Sequence, residues 1–309
     1  MSVDLFPEFS SQFITTSLGA RIFVRVSPNK DKPPVLLLHG FPQTHLEWHR
    51  VVPFLLPHYT VVLLDLRGYG ASDSIADSSN GSGYTKRKMA QDCVSIMDKL
   101  GYNKFTVIGH DRGARVTYRL AFDQPEKLEK IVLIDIIPTA AMFKNFGNVT
   151  AAVKAYHWLF MAQPEPFPET LMKSAANGKF FLEQSLASLT GTQRLDVFHP
   201  VAMANYRQSY CNEEKIHNAC ECYRAGAFYD RIYDEEDLSK GNKIQVPVYT
   251  VWGAGGTFAK SIQEQSEGPL DVWKQYCASV QGKGYGCGHF IPEEMPEALA
   301  KDILQFLLE

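Results

Sequence analysis

The stretch richest in chemistry is Val107-Ile108-Gly109-His110-Asp111-Arg112-Gly113-Ala114-Arg115: an apolar run, a Gly-x-Asp-x-Gly turn, then a helical pattern. A strand that turns this sharply into a helix lifts the corner residue above its sheet and aims it at the helix N-terminus. Glycines flank the corner because a side chain there has no room. The corner residue is Asp111, and a carboxylate does not perform serine-type acyl transfer. It can instead displace a leaving group from an sp³ carbon, forming an ester with the protein. The plain alternative, an aspartate that only caps a helix, is common for this residue type. Other parts of the chain argue against it.

Two further segments complete a hydrolytic constellation. His39-Gly40-Phe41-Pro42 follows an early apolar run, where the backbone N–H of Phe41, with that of Arg112, can form an oxyanion hole. Gly286-Cys287-Gly288-His289-Phe290 precedes the final helical pattern, and a histidine between small residues there can reach Asp111 as general base. Asp135, ending the run IVLIDI, is the natural acid to orient His289; the competing loop after Val246–Trp252 has no carboxylate before Glu264. Arg112 and Arg115 stand one and four residues past Asp111, both on the first helical turn. Two guanidiniums beside a nucleophilic carboxylate suit an anionic substrate held in a fork, most simply a carboxylate. Farther on, His157, Trp158 and Tyr223 offer three donors able to converge on a small anion such as a departing halide, although aromatic residues in such stretches are often plain core.

These groups need a frame. Apolar runs at Arg21–Val26, Val35–His39, Thr60–Asp65, Phe105–Gly109, Ile131–Asp135 and Val246–Trp252 alternate with helical segments such as Lys86–Leu100, Gly113–Phe122 and Pro296–Leu308. That alternation predicts an α/β fold with a mostly parallel sheet, its central strands buried on both faces. From Thr139 to about Glu235 the strand pattern stops and aromatic-rich helical stretches take over. The expected organisation is a core over 1–138, a helical cap over 139–235 and the rest of the core over 236–309, with ligand between cap and sheet. Tyr84-Thr85-Lys86-Arg87-Lys88 reads as a solvated helix start.

Composition narrows the classes. The 309 residues carry 31 Lys+Arg against 34 Asp+Glu, and this balance leaves no basic field for nucleic acid. No apolar stretch nears the ~20 residues a bilayer span needs. The N-terminus has an early acid and no apolar run, so a cytoplasmic protein is expected. The six cysteines form no CxxC pair; free thiols are expected, and no metal site.

Taken together, HGFPQTHLEWHRV, GHDRGARVTYRLAFD, VLIDIIPT, YHWLFMAQP, YRAGAFYD and GHFIPEE resemble the fluoroacetate (haloacetate) dehalogenases of the α/β-hydrolase superfamily, from about Leu5 to the C-terminus. The resemblance implies an α/β-hydrolase fold with an eight-stranded sheet and a helical cap. It implies Asp111 as nucleophile, His289 as base and Asp135 as acid. Arg112 and Arg115 match a carboxylate clamp, and His157, Trp158 and Tyr223 a halide-binding trio. It also implies a homodimer without cofactor, acting on a small haloacid. Two segments depart from the pattern: Leu189 stands where some members carry tryptophan, and the Gly253–Gly268 loop is rearranged. An epoxide hydrolase shares the Asp and His but needs two cap tyrosines, and two arginines do little for a neutral epoxide. A haloalkane dehalogenase usually has tryptophan at the Arg112 position. A binding protein without turnover is argued against by the intact Asp111, Asp135 and His289.

Overall fold

In the computed structural model, residues 3–75, 79–174, 176–255 and 268–309 are described. Eight strands form one sheet: β1 (Ser10–Thr15), β2 (Arg21–Val26), β3 (Pro34–Leu38), β4 (Thr60–Leu64), β5 (Phe105–His110), β6 (Leu128–Ile134), β7 (Val248–Gly253) and β8 (Val280–Tyr285). Their order is β1-β2-β4-β3-β5-β6-β7-β8, antiparallel at β1/β2 and β2/β4 and parallel elsewhere. Of the central strands, β4 and β5 are buried along their whole length, as continuous Val/Ile/Leu runs require when helices cover both faces. The two edge strands escaped the sequence reading. β1 is SSQFIT and β8 is VQGKGY; both are largely exposed, and their polar side chains and glycines blunt the unpaired edge instead of supplying an apolar signal.

The corner after β5 is built by exclusion. The Arg112–Asp123 helix presses so closely on the sheet that a Cβ on Gly113 would lie 2.1 Å from the Leu38 carbonyl oxygen. One on Gly109 would lie 2.4 Å from Thr117 Oγ1 and 2.6 Å from the Ala114 nitrogen. The Gly113 N–H donates to the His39 carbonyl at 2.9 Å, tying this corner to the end of β3.

Between β6 and β7 the described chain is helical, from Thr139–Asn145 through Phe167–Ser174, Lys179–Leu189 and Pro200–Tyr210 to Arg231–Ser239. The last helix therefore runs four residues beyond Glu235. It continues the Glu213–Ala225 helix through a π-turn at Gly226–Asp230, the kind of irregularity that often accompanies a functional side chain; Tyr223 sits just before it. The π-turn also corrects the reading of Tyr84–Lys88. Thr85 caps the Lys86–Lys99 helix, but Tyr84, Thr85 and Lys86 are buried, because Lys86 Nζ pairs with Asp230 Oδ2 at 3.2 Å. Most of the rearranged loop, residues 256–267 with Glu264, lies outside the described residues. No described helix is long and apolar enough to cross a membrane. All six cysteines are free thiols, five of them buried.

Overpacking at the corner gives a direct test. Gly113→Ala should destabilise the protein by about 3 kcal/mol in urea unfolding. Gly268→Ala, whose Cβ meets nothing within 4 Å among the described residues, should change stability little.

Candidate active site

Asp111 sits on the corner with φ +44° and ψ −111°, a conformation that costs a non-glycine residue about 1–3 kcal/mol. The surrounding backbone holds it there. Its N–H donates to the Ile134 carbonyl at 3.2 Å, and its Oδ2 accepts the Phe41 N–H at 3.0 Å. One of the two expected oxyanion N–H groups thus already points at the carboxylate. Burial works against ionised Asp111, but the charges of Arg112, His289, Arg115 and His110 outweigh it and hold the carboxyl below its ordinary range. It stays an anion, the form a nucleophile needs.

His289 comes from the loop after β8. Its Nδ1 donates to Asp135 Oδ2 at 2.5 Å, and Asp135 Oδ1 accepts the Gly253 N–H at 2.8 Å. The acid is fixed from both sides at the end of β6, with its own φ at +52°. The Nδ1 bond to Asp135 fixes the orientation of the His289 ring.

A small cavity joins these groups. Phe41, Pro42, Asp111, His157, Trp158, Ser185, Leu189, Tyr223 and His289 line it. The centre of a water-sized sphere can range over about 20 Å³, little more than one water requires. Burial, then the Arg112 charge, lowers His157 to about 3, so its ring is neutral. Burial raises the Tyr223 hydroxyl, which stays a donor. The helical segment thus brings the three expected donors to the space beside Asp111, and Leu189 joins them on its wall.

The arginines are close but differently placed than expected. Neither lines the cavity. The Arg112 guanidinium lies over Tyr223 (3.5 Å to the ring centre) and over Trp158 (4.4 Å), with Nε 3.9 Å from Asp111 Oδ2. Arg115 stacks over Trp158 at 4.4 Å and donates through one terminal nitrogen to the Ile137 carbonyl and Thr139 Oγ1. Aromatic faces take the flat cations without supplying acceptors. Among the described residues, none of the three Arg112 nitrogens and only one terminal Arg115 nitrogen meets an acceptor in good hydrogen-bonding geometry.

Comparison with known proteins identifies the family. A family model described as the α/β hydrolase fold matches residues 33–294. The chain belongs to the α/β-hydrolase fold family. It is 36% identical to a fluoroacetate dehalogenase of Burkholderia sp, over 89% of this chain and 87% of that one. It is 30% identical to a soluble epoxide hydrolase of Corynebacterium sp. (strain C12), over 88% and 89%. A crystal structure of a Nostoc sp PCC 7120 protein described as an α/β hydrolase superposes with a TM-score of 0.89 at 40% identity, covering 98% of this chain and 99% of that one. The chain is accordingly a hydrolase of this family.

One buried pair was not anticipated. His110 Nδ1 lies 3.2 Å from Glu47 Oε2, and its Nε2 lies 3.0 Å from the His289 carbonyl oxygen; both side chains are fully buried. Both ring nitrogens face acceptors, so both must donate and the ring is an imidazolium. Glu47 Oε2 also accepts the Gly40 N–H at 3.2 Å, so the pair joins the Gly40–Phe41 segment to the loop that carries His289. His110 was visible in the motif, but nothing local in sequence marks Glu47 as its partner.

The pair has a pH signature. Burial opposes the charge, yet Glu47, with Asp111 and Asp135 behind it, raises His110 to about 9 from an ordinary 6.5. A raised histidine stabilises fully below its unfolded value, and that stability is lost as pH climbs through the folded value. The stability gap between wild type and Glu47→Gln should therefore shrink by about 3 kcal/mol between pH 6 and 10, read by urea unfolding.

Proposed function

We propose that this hydrolase removes halide from haloacetates, giving glycolate through an ester on Asp111. The observation carrying the reading is the pair of buried guanidiniums near Asp111, Arg112 and Arg115, most of whose nitrogens meet no acceptor in good hydrogen-bonding geometry among the described residues. Unmatched buried donors are costly, and a carboxylate ligand supplies the acceptors they lack. In the proposed sequence the arginines leave their ring stacking to hold the substrate carboxylate. Asp111 attacks the α-carbon in line, the carbon–halogen bond breaks, and halide leaves toward His157, Trp158 and Tyr223. His289, oriented by Asp135, then takes a proton from water, which adds to the ester carbonyl while the N–H groups of Phe41 and Arg112 stabilise the oxyanion. The ester C–O bond breaks, returning Asp111 and releasing glycolate. The scheme calls for no cofactor or metal. Residues 139–235 act as a cap over the sheet, and the protein works in the cytoplasm as a homodimer, the dimer being what the resemblance implies.

The epoxide-hydrolase reading has support in the Corynebacterium relative. It needs two tyrosines aimed at an epoxide oxygen, and Tyr223 is the one tyrosine among the described residues lining the cavity. Tyr156, next to His157, is half exposed. A neutral epoxide would also leave the guanidinium donors unmatched.

Halide release from fluoroacetate and chloroacetate separates the readings. Wild type should release both ions and Asp111→Asn neither. His157→Ala should slow fluoride release by about 10²-fold or more and chloride less, since fluoride depends more on preorganised donors. Absence of halide from either substrate with wild type would reject the dehalogenase reading. Equal losses in His157→Ala would reject the halide role of His157.

A further inference from the structure

We infer that Glu294 is a positioning residue that latches the helical segment between β6 and β7 to the loop carrying the base. Its carboxylate accepts three backbone N–H groups. Oε2 takes Gly191 at 2.9 Å and Gly288 at 3.0 Å, and Oε1 takes Phe290 at 3.1 Å. Gly288 and Phe290 flank His289; Gly191 follows the Lys179–Leu189 helix, 103 residues earlier in the chain. A fourth bond closes the seam, from the His289 N–H to the Leu189 carbonyl at 2.8 Å.

The backbones meet at contact distance. A Cβ on Gly288 would lie 2.3 Å from the Gly191 nitrogen and 2.4 Å from the Leu189 oxygen. One on Gly191 would lie 3.1 Å from both Glu294 Oε2 and the Gly288 nitrogen. If Glu294 only capped the short Ile291–Glu294 turn, its bond to Phe290 would suffice. The bond to Gly191 makes the main-chain position of His289 depend on residues 189–191. Leu189 also lines the cavity, so the wall beside the substrate and the base behind it move as one piece. The base is therefore in place only when the helical segment is seated.

This deepens the proposed function and rests on it for its kinetic consequence. In that scheme His289 serves ester hydrolysis and not the displacement of halide. Loosening the latch should slow the second step and spare the first. Glu294→Gln keeps the size but sets an amide NH₂ against a backbone N–H. Gly191→Ala leaves Glu294 intact and crowds its carboxylate from the other side; its backbone needs no left-handed φ.

Rapid quench with chloroacetate should show, for both variants, a halide burst within about twofold of wild type. Steady turnover should fall about ten- to a hundredfold, with the Asp111 ester accumulating on the protein. Backbone amide exchange in the ligand-free protein should rise together at Gly191, Gly288 and Phe290. Wild-type turnover in both variants, or burst and turnover falling in parallel, would overturn the inference. So would faster exchange at Phe290 with Gly191 still protected. If wild type releases no halide, the dehalogenase reading fails, while the exchange pattern still decides whether the latch exists.

Discussion

The close contact between the Arg112–Asp123 helix and the end of β3 is the constraint on which the rest of the site depends. With no room for a Cβ on Gly113 beside the Leu38 carbonyl, the strand turns into the helix through a tight corner that places Asp111 at positive φ. That corner sets the carboxylate beside the Phe41 N–H and Arg112 on the ring faces of Tyr223 and Trp158. The strain at Asp111 persists because backbone bonds to Ile134 and His39 fix both sides of the turn. A larger residue at Gly109 or Gly113 would undo fold and site together.

Electrostatics then divide the work. Asp111 is kept ionised by neighbouring cations against the effect of burial, and His157 is kept neutral by burial and then by the same Arg112. Beneath them the Glu47–His110 pair stays charged away from solvent, joined to Gly40 on one side and to the His289 carbonyl on the other. Removing one member of such a pair leaves an uncompensated buried charge, so the bonds that link the Gly40 segment to the loop carrying His289 are costly to break.

Much of this was legible in the sequence because it is local. The Gly-x-Asp-x-Gly corner, the apolar runs of β3 to β7 and the glycine-flanked His289 each carry their own signal. What was missed is long-range or polar. The edge strands β1 and β8 lack an apolar pattern because their outer sides face water. Lys86 looked solvated because Asp230, which neutralises it, lies 144 residues away. Glu47 and Glu294 act on partners 63 and 103 residues distant, and no spacing rule reaches that far. The arginines were found by position in the first helical turn, but their stacking on Trp158 and Tyr223 depends on how the helical segment folds back over the sheet.

The central claim is that Asp111 itself attacks carbon and is regenerated by water. A single turnover of chloroacetate in ¹⁸O-labelled water, with enzyme in excess, tests it most directly. The account predicts unlabelled oxygen in the first glycolate formed and ¹⁸O in the Asp111 carboxylate. Label appearing directly in that first glycolate, with none on Asp111, would show water displacing the halide without a protein ester and would contradict it.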